Sequence, residues 1–237
     1  MAARSTFERE SHRRIQRVLA ALDAAAPARF SCRFGGGTRI AMDLGEYRES
    51  RDIDFLCSDA SAYADLRVAV GRDGYGALCP ATGDVELPRE IRADQYGVRF
   101  PAIVDEQTIR VELEREARLE LSQPVELAWT HVAGLSINDC YAEQLSANCD
   151  RWADTDSLSR DLIDLAALSR APGRIPDEAW RAAESAYKTA PRDALRKAAS
   201  AYLGDAKRRE RCARGLAVRA ADAERLRVTI ETLLGET

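Results

Sequence analysis

The sequence is poor in the side chains that build zinc sites and disulfide frameworks. It has two histidines, His12 and His131, and none of its six cysteines forms a CxxC pair. These absences argue against the common zinc patterns and against the cysteine framework of small secreted domains. We therefore expect reduced, mostly buried cysteines. They are Cys32, Cys57, Cys79, Cys140, Cys149 and Cys212.

Long apolar runs and a strong net charge are also missing. No run approaches the roughly 20 residues that a membrane-spanning helix needs. The first 25 residues lack the apolar centre of a signal peptide, and Glu8, Glu10 and Asp23 argue against a transit peptide. The net charge of -4 gives no global case for nucleic-acid binding, so an RNA surface would have to be a local patch. We expect a cytoplasmic protein without a membrane partner.

What is present is enough apolar sequence for a core, with 46% apolar and 31% charged residues. Helical spacing predicts a helix at 6–24, and the glycines at 35–37 lead into another at 37–47. Alternating or apolar runs predict strands at 29–34, 51–57, 91–104, 107–121 and 124–132.

The pattern changes after Gly134 and becomes helical. Capping residues and 3.6-residue spacing predict helices at 138–153 and 157–171. From Pro176 the chain reads as helical, with breaks near Pro191 and Gly204. We predict two domains, a mixed one at 1–130 and a helical one at 131–237.

The stretch "FGGGTRIAMDLGEYRESRDIDF" carries the chemistry. Strand alternation places Asp52 and Asp54 on one face, and Ile53 and Phe55 on the other. Two carboxylates one strand repeat apart can share a divalent cation, and oxygen-only ligands suit Mg²⁺. Magnesium in turn implies a phosphate substrate.

The glycines that precede these aspartates suit the phosphate-binding part of such a site. A glycine turn that opens a helix exposes backbone N–H groups to phosphate oxygens. Gly36, Gly37 and Thr38 occupy that position. Taken singly, the glycines also suit a tight turn and the aspartates a solvated strand end. The order of strand, glycine turn, helix and acidic strand favours a nucleotide-polymerising site.

Three stretches together resemble the AbiEii/AbiGii-type nucleotidyltransferases, a branch of the polymerase-beta-like superfamily. They are GGGT followed by R-x-S-x-DIDF, then YAEQLSANCDRWAD, then SRDLIDLAAL. The resemblance covers about residues 30–168. It implies an α+β fold, in which a nucleotidyltransferase-type mixed sheet with flanking helices is followed by a C-terminal helical lobe that completes the active-site cleft.

The resemblance also implies an activity. This is magnesium-dependent transfer of a nucleoside monophosphate from an NTP to an RNA hydroxyl, especially a tRNA 3′ end. Many relatives are toxins of toxin–antitoxin or phage-defence pairs, so a cognate antitoxin is expected. Two alternatives stay open: transfer to a protein or small-molecule hydroxyl, and nucleotide binding at a degenerate site.

Carried over residue by residue, the resemblance implies these roles. Gly36, Gly37 and Thr38 would lie at the phosphates, with Arg48 and Ser50 beside the nucleotide. Asp52 and Asp54 would hold the metal, and Asp161 would lie at the edge of the site.

The superfamily also requires a third carboxylate on an adjacent strand. In "TIRVELER" the core residues alternate with Arg110, Glu112 and Glu114. We assign Glu112 as third carboxylate and general base, with Glu114 as the second choice. An exposed charged strand face is the alternative for this pair.

Two helical positions bear on the same site. Asp161 and Asp164 lie three apart, hence on one helix face, where Arg160 can pair with Asp164. Gln144 stands where the family usually has a lysine for the triphosphate. Substitution by another cation, such as Arg151 or Arg160, is one explanation. Otherwise the protein is weak, specialised or a disarmed toxin.

A basic run, KRRERCARGLAVR at 207–219, lies near the C-terminus. On a helix its cations spread around the circumference. A solvated face is the simpler interpretation, and a patch for an RNA backbone is the alternative.

Overall fold

The computed structural model describes residues 7–88, 91–169 and 174–235. This part of the chain divides into two compact units. The first is built from residues up to 39 and from 51–136, and the second from 40–50 and from 137 onward. Residue 6 of the first predicted helix and residues 170 and 171 of the helix predicted at 157–171 lie outside the described residues. No helix in the described ranges is long and apolar enough to cross a membrane.

The described elements follow one another in a mixed order and then an all-helical order. The strands are β1 (Cys32–Gly35), β2 (Asp52–Cys57), β3 (Arg92–Ala93), β4 (Gly97–Val104) and β5 (Gln107–Arg115). The helices are α1 (Glu10–Ala21), α2 (Ala26–Arg29), α3 (Gly36–Asp43), α4 (Ala60–Asp73), α5 (Ile137–Arg151), α6 (Arg160–Leu168), α7 (Asp177–Tyr187), α8 (Ala190–Gly204), α9 (Ala206–Gly215) and α10 (Ala220–Gly235). The α+β fold class predicted from the sequence is confirmed.

The first unit contains a mixed sheet with the strand order β1-β2-β5-β4-β3. β2 pairs antiparallel with β1 and parallel with β5, and β5 pairs antiparallel with β4. The β4–β5 hairpin turns at Asp105 and Glu106, both with positive φ, which suits the twist of a two-residue hairpin. The sheet buries Ile53, Phe55 and Val111 on its core face.

The predicted strands at 29–34, 51–57 and 107–121 are present with shifted or shorter bounds. The single strand predicted at 91–104 is wrong, because this segment forms two antiparallel strands, β3 and β4. The strand predicted at 124–132 is wrong: this segment makes only an isolated bridge from Val125 to Gly134. Its apolar Leu127 and Val132 are buried from a loop, so burial and not strand pairing explains the pattern. Helix α4 was not predicted; Asp59 caps it by accepting from the N–H groups of Ser61 and Ala62.

The second unit is helical, and the predicted breaks fall at helix ends. Pro191 lies in the first turn of α8, where a missing N–H costs nothing, and Gly204 is its last residue. Asp205 then caps α9 through the N–H groups of Lys207 and Arg208. Apolar residues of α5, α6, α8 and α10 form the core of this unit, among them Leu145, Leu165, Leu195 and Ile230.

The prediction that all cysteines are reduced is wrong for one pair. Cys32 on β1 and Cys57 on β2 face each other in the antiparallel register and form a disulfide, with a Cα–Cα distance of 4.3 Å. The close approach follows from strand pairing, because directly opposed antiparallel residues lie about 4.5–5.5 Å apart. Cys79, Cys140, Cys149 and Cys212 are free thiols.

Candidate active site

Acidic side chains gather on one face of the sheet in the first unit. In the parallel register of β2 and β5, Asp54 lies opposite Glu112 and Asp52 lies opposite Arg110. Asp52, Asp54, Glu112 and Glu114 are half-buried, whereas the residues between them belong to the core. The alternation predicted for both strands is therefore confirmed, and it places the first two predicted metal ligands beside the third.

Two arginines share this acidic face. Arg110 Nη2 lies 3.1 Å from Asp52 Oδ2, and its Nε lies 3.8 Å from Glu112 Oε2. From β4, Arg99 Nε lies 3.4 Å from Glu112 Oε1, as its register opposite Glu112 requires. Both arginines thus compensate part of the negative charge.

The compensation is incomplete at Asp54. Burial, together with the charges of Asp52, Glu114 and Glu112, raises the pKa of Asp54 to about 7. The pKa of Glu114 is raised by burial and then by the charge of Glu112. The acidic face therefore carries more negative charge than its arginines neutralise.

The glycine turn lies directly against the side chain of Asp54. Gly36 has φ +68°, and a Cβ built on it would lie 2.6 Å from Asp54 Oδ2. Only glycine fits both the backbone conformation and this approach. Helix α3 begins at Gly36, so its first N–H groups lie at the acidic face. Gly37 is half-buried, and the buried Thr38 donates its hydroxyl to the backbone oxygen of Asp52.

The side chains of this face offer the donor type that a hard cation prefers, but they do not converge as a metal site requires. Within the described ranges, no three His, Cys, Asp or Glu side chains converge closely enough to hold a metal ion. The available donors are all carboxylate oxygens, the type that Mg²⁺ prefers, and the excess charge around Asp54 is what a cation would neutralise. Asp52 and Asp54 thus supply the donor type that a divalent cation takes, while Arg110 pairs with Asp52 and Arg99 pairs with Glu112.

Arg48 lies in the second unit and is held by protein groups. Its Nε and Nη2 donate to the two carboxylate oxygens of Asp164 at 2.6 and 2.7 Å, and its Nη1 donates to the backbone oxygen of Glu49. Tyr47 donates to Asp164 as well. Burial alone would lower the pKa of Arg48, but the Asp164 carboxylate more than offsets this. Asp164 thus pairs with Arg48 and not with the predicted Arg160. Ser50 is half-buried in the loop before β2.

Asp161 and Gln144 lie in α6 and α5 of the same unit. Both oxygens of the buried Asp161 accept from Arg151, at 2.7 and 2.8 Å. Gln144 is 3% exposed, and its Oε1 has no hydrogen-bond partner. Asn148, one turn further along α5, is also buried and leaves its Nδ2 without a partner.

Comparison with known protein families identifies the family to which the chain belongs. The model of the family described as "Nucleotidyl transferase AbiEii toxin, Type IV TA system" matches residues 17–233. The chain belongs to the AbiEii nucleotidyltransferase toxin family. The resemblance inferred from the sequence is confirmed, and AbiEii membership supports nucleotidyltransferase activity and an antitoxin partner.

Two crystal structures from Helicobacter pylori resemble this AbiEii protein in fold. JHP933 has a TM-score of 0.56 and 15% identity, with 98% of this chain and 94% of that chain covered. A candidate nucleotidyltransferase has a TM-score of 0.51 and 16% identity, with 95% and 94% covered. No curated protein matches the sequence significantly.

Three contacts of this AbiEii chain were missed by sequence reasoning. Arg99 alternates with core residues of β4, and that alternation could have placed it on the acidic face. The partnership of Tyr47 and Arg48 with Asp164 spans more than a hundred residues, and no local pattern signals it.

The basic run at 207–219 of the AbiEii chain, which we interpreted as a solvated face with an RNA patch as the alternative, makes several contacts within its own fold. On α9, Arg208 donates to Ser159 Oγ and the Trp152 carbonyl, and Arg211 donates to the Thr155 carbonyl. Arg209 donates to the carbonyls of Tyr202 and Leu203 at the end of α8. These contacts favour a structural role for the run.

Proposed function

We propose that this protein transfers a nucleoside monophosphate from an NTP to an RNA hydroxyl, with a tRNA 3′ end as the favoured acceptor. The observation that carries the proposal is the position of Asp54. It lies opposite Glu112 in the sheet and in contact with Gly36, where a helix begins. Carboxylates for a cation and N–H groups for phosphates therefore stand side by side, as nucleotidyl transfer needs.

Asp52, Asp54 and Glu112 would hold the magnesium. When bound, Mg²⁺ supplies Lewis-acid stabilisation of the charge that develops on the phosphate oxygens. Gly36 and Gly37 contribute backbone N–H groups to the triphosphate. Thr38 contributes through its backbone, because its hydroxyl is already bonded to the Asp52 carbonyl and fixes the turn to β2.

The reaction requires one proton acceptor. As the acceptor hydroxyl oxygen bonds to the α-phosphorus, the bond to pyrophosphate breaks and the hydroxyl proton must leave. Glu112 is the proposed base, since it lies opposite Asp54 in the sheet, beside the proposed metal ligands. Glu114, whose pKa is raised, is the second choice.

The toxin role rests on family membership. Modification of tRNA would stop translation in the cytoplasm, where NTP and tRNA are available, and a cognate antitoxin would oppose it. Growth arrest on expression, relieved by the neighbouring antitoxin gene, is the expected phenotype.

The decisive experiment offers the purified protein each labelled NTP with Mg²⁺, together with total RNA and total protein in separate reactions. We expect label in RNA from one NTP, loss of label with EDTA, and loss with Asp54→Asn. Label in protein or in a small molecule would show that the acceptor is not RNA. Absence of any label alongside measurable NTP binding would contradict transfer.

The second candidate function is nucleotide binding without transfer. The buried Gln144, which stands in place of the family's lysine, favours it. A neutral amide cannot offset triphosphate charge as an ammonium can. Binding of NTP without turnover over any RNA would support this function against the first.

A further inference from the structure

Two arginines contact the acidic face of the first unit, and they are held in different ways. Arg99 on β4 lies 3.4 Å from Glu112 Oε1 through Nε and 3.1 Å from Asp94 Oδ2 through Nη1. The ion pairs of Arg110 on β5 are with Asp52 and Glu112, which both belong to the acidic face. Arg99 therefore has an anchor outside this face, whereas the ionic partners of Arg110 are carboxylates of the face itself.

The anchor of Arg99 is fixed by the backbone. Asp94 Oδ1 accepts from the N–H groups of Tyr96 and Gly97, at 2.7 and 3.0 Å, in the turn between β3 and β4. Gly97 also packs against the guanidinium, since a Cβ on Gly97 would lie 3.0 Å from Arg99 Nη2. Arg99 is therefore a fixed countercharge of Glu112.

Arg110 can turn away from the acidic face. Its side chain is 56% exposed, compared with 33% for Arg99. Across the sheet it lies between Asp52 on β2 and the uncharged Pro101 on β4. Ion pairs with such exposure are weak, because water competes for both partners. The guanidinium can therefore move into solvent at little cost while the backbone of β5 stays in place.

Arg110 and a divalent cation need the same oxygen atoms. Arg110 Nη2 lies 3.1 Å from Asp52 Oδ2, and its Nε lies 3.8 Å from Glu112 Oε2. These are two of the three carboxylates that we assign to the cation, and a guanidinium repels a cation at the same carboxylates. We propose that Arg110 is an internal counter-ion that a divalent cation displaces, so that Arg110 sets the affinity of the acidic face for that cation. This inference rests on the metal site of the proposed function.

The proposal accounts for the arrangement of the carboxylates. They offer the oxygen donors that Mg²⁺ prefers, yet they do not converge, because both Asp52 and Glu112 are paired with arginine. Displacement of Arg110 frees an oxygen of each of these two carboxylates, while Arg99 stays bound to Asp94 and continues to limit the charge at Glu112.

The test titrates Mn²⁺ into protein prepared without divalent cations or nucleotide, and follows free Mn²⁺ by electron paramagnetic resonance. Arg110→Gln removes the charge, and Arg110→Lys keeps the charge but not the guanidinium fork. Arg72→Gln is the matched control, because Arg72 forms an exposed ion pair with Asp73 at the end of α4.

We expect Arg110→Gln to bind Mn²⁺ about 3- to 10-fold more tightly than the wild type, because the competing cation is gone. Arg110→Lys should lie between these two proteins, and Arg72→Gln should change the affinity less than about twofold. Equal or weaker Mn²⁺ binding in Arg110→Gln would overturn the inference. So would failure of both the wild type and Arg110→Gln to bind Mn²⁺.

Thermal unfolding separates this role from a purely structural one. A ligand stabilises a protein more when it binds more tightly, so the same Mn²⁺ concentration should raise the unfolding midpoint more in Arg110→Gln than in the wild type. An ion pair that only supports the fold would lower the midpoint of the variant equally with and without Mn²⁺, and that result would contradict displacement.

Two further outcomes complete the test. If Arg110→Gln does not fold, phenylglyoxal modification of the wild type replaces it. Mn²⁺ should then accelerate modification of Arg110 and leave Arg72 unchanged, and equal rates at Arg110 with and without Mn²⁺ would refute displacement. Tighter Mn²⁺ binding in Arg110→Gln, together with no labelling of RNA by the wild type, would support this inference and contradict the proposed transfer.

Discussion

Gly36 lies against the carboxylate of Asp54, so closely that a Cβ at position 36 would approach Asp54 Oδ2 to 2.6 Å. The backbone of Gly36 also has φ +68°, which a residue with a side chain adopts only with strain. The glycine that opens α3 and the second aspartate of β2 therefore constrain each other.

Gly36→Ala should consequently lose both stability and NTP binding. We expect the free energy of unfolding to fall by about 1–2 kcal/mol from the left-handed backbone alone, with a further loss from the contact. The displaced Asp54 carboxylate should abolish metal-dependent NTP binding. Urea unfolding and calorimetry measure the two effects.

Gly71→Ala is the matched control. Gly71 lies within α4, and a Cβ there meets no atom within 4 Å. Alanine should therefore raise stability by up to about 1 kcal/mol. Equal behaviour of the two variants would show that the turn does not position Asp54.

Asp54→Asn should remove magnesium-dependent NTP binding while the fold persists, because asparagine keeps the volume and removes one crowded negative charge. Mn²⁺ binding followed by electron paramagnetic resonance gives a direct readout. Asp65→Asn, on the exposed face of α4, should leave Mn²⁺ affinity unchanged. Wild-type affinity in Asp54→Asn would refute the metal assignment.

Removal of one partner of the buried Arg48–Asp164 pair should strongly destabilise the helical unit. Asp164→Asn leaves a buried guanidinium without its counter-ion, so we expect a loss of about 3–5 kcal/mol in the free energy of unfolding. The exposed Arg196–Asp193 pair provides the comparison, and Asp193→Asn should change stability by no more than about 0.5 kcal/mol. Comparable losses in the two variants would contradict this role.

Gln144→Lys should strengthen NTP binding and raise the transfer rate if position 144 faces the triphosphate. An ammonium forms charge-assisted hydrogen bonds with phosphate, roughly twice as strong as those of an amide. Growth arrest on expression should then become more severe. If affinity, rate and toxicity all stay at wild-type values, Gln144 does not contact the phosphates.

The cysteines should react in two distinct ways. Burial raises the pKa of both Cys79 and Cys149 to about 11. At pH 8 their native thiolate fraction should therefore be about 100-fold lower than that of an ordinary thiol, and alkylation should accelerate as pH rises toward 11. Cys32 and Cys57 should stay unmodified until a reductant is added. Mass spectrometry of native and urea-unfolded protein, each with and without reductant, distinguishes these classes.

The sequence predicts the local parts of this molecule well. The alternation of β2 and β5 correctly separates Asp52, Asp54 and Glu112 from the core, because the two-residue period is a property of each strand alone. The glycine turn before α3 follows from backbone preferences that are equally local.

These local patterns do not predict contacts between distant segments. Arg48 precedes Asp164 by 116 residues, so only the packed helical unit shows that its guanidinium is committed. The Cys32–Cys57 disulfide depends on the register of β1 against β2, and one residue of slippage would remove it. Val125, Leu127 and Trp129 alternate with polar or small residues as in a strand, although Leu127 is buried from a loop.

Residues 40–50 belong to the helical unit, although residues 51–136 return the chain to the sheet unit. The gene therefore encodes the helical unit in two separate pieces. A fragment starting at Ile137 would contain Asp164 but not Tyr47 and Arg48. It would therefore bury the Asp164 carboxylate without these hydrogen-bond donors. Recombination that exchanges the C-terminal half between family members would meet the same obstacle. We therefore expect residues 40–50 and the helices from residue 137 onward to be inherited together.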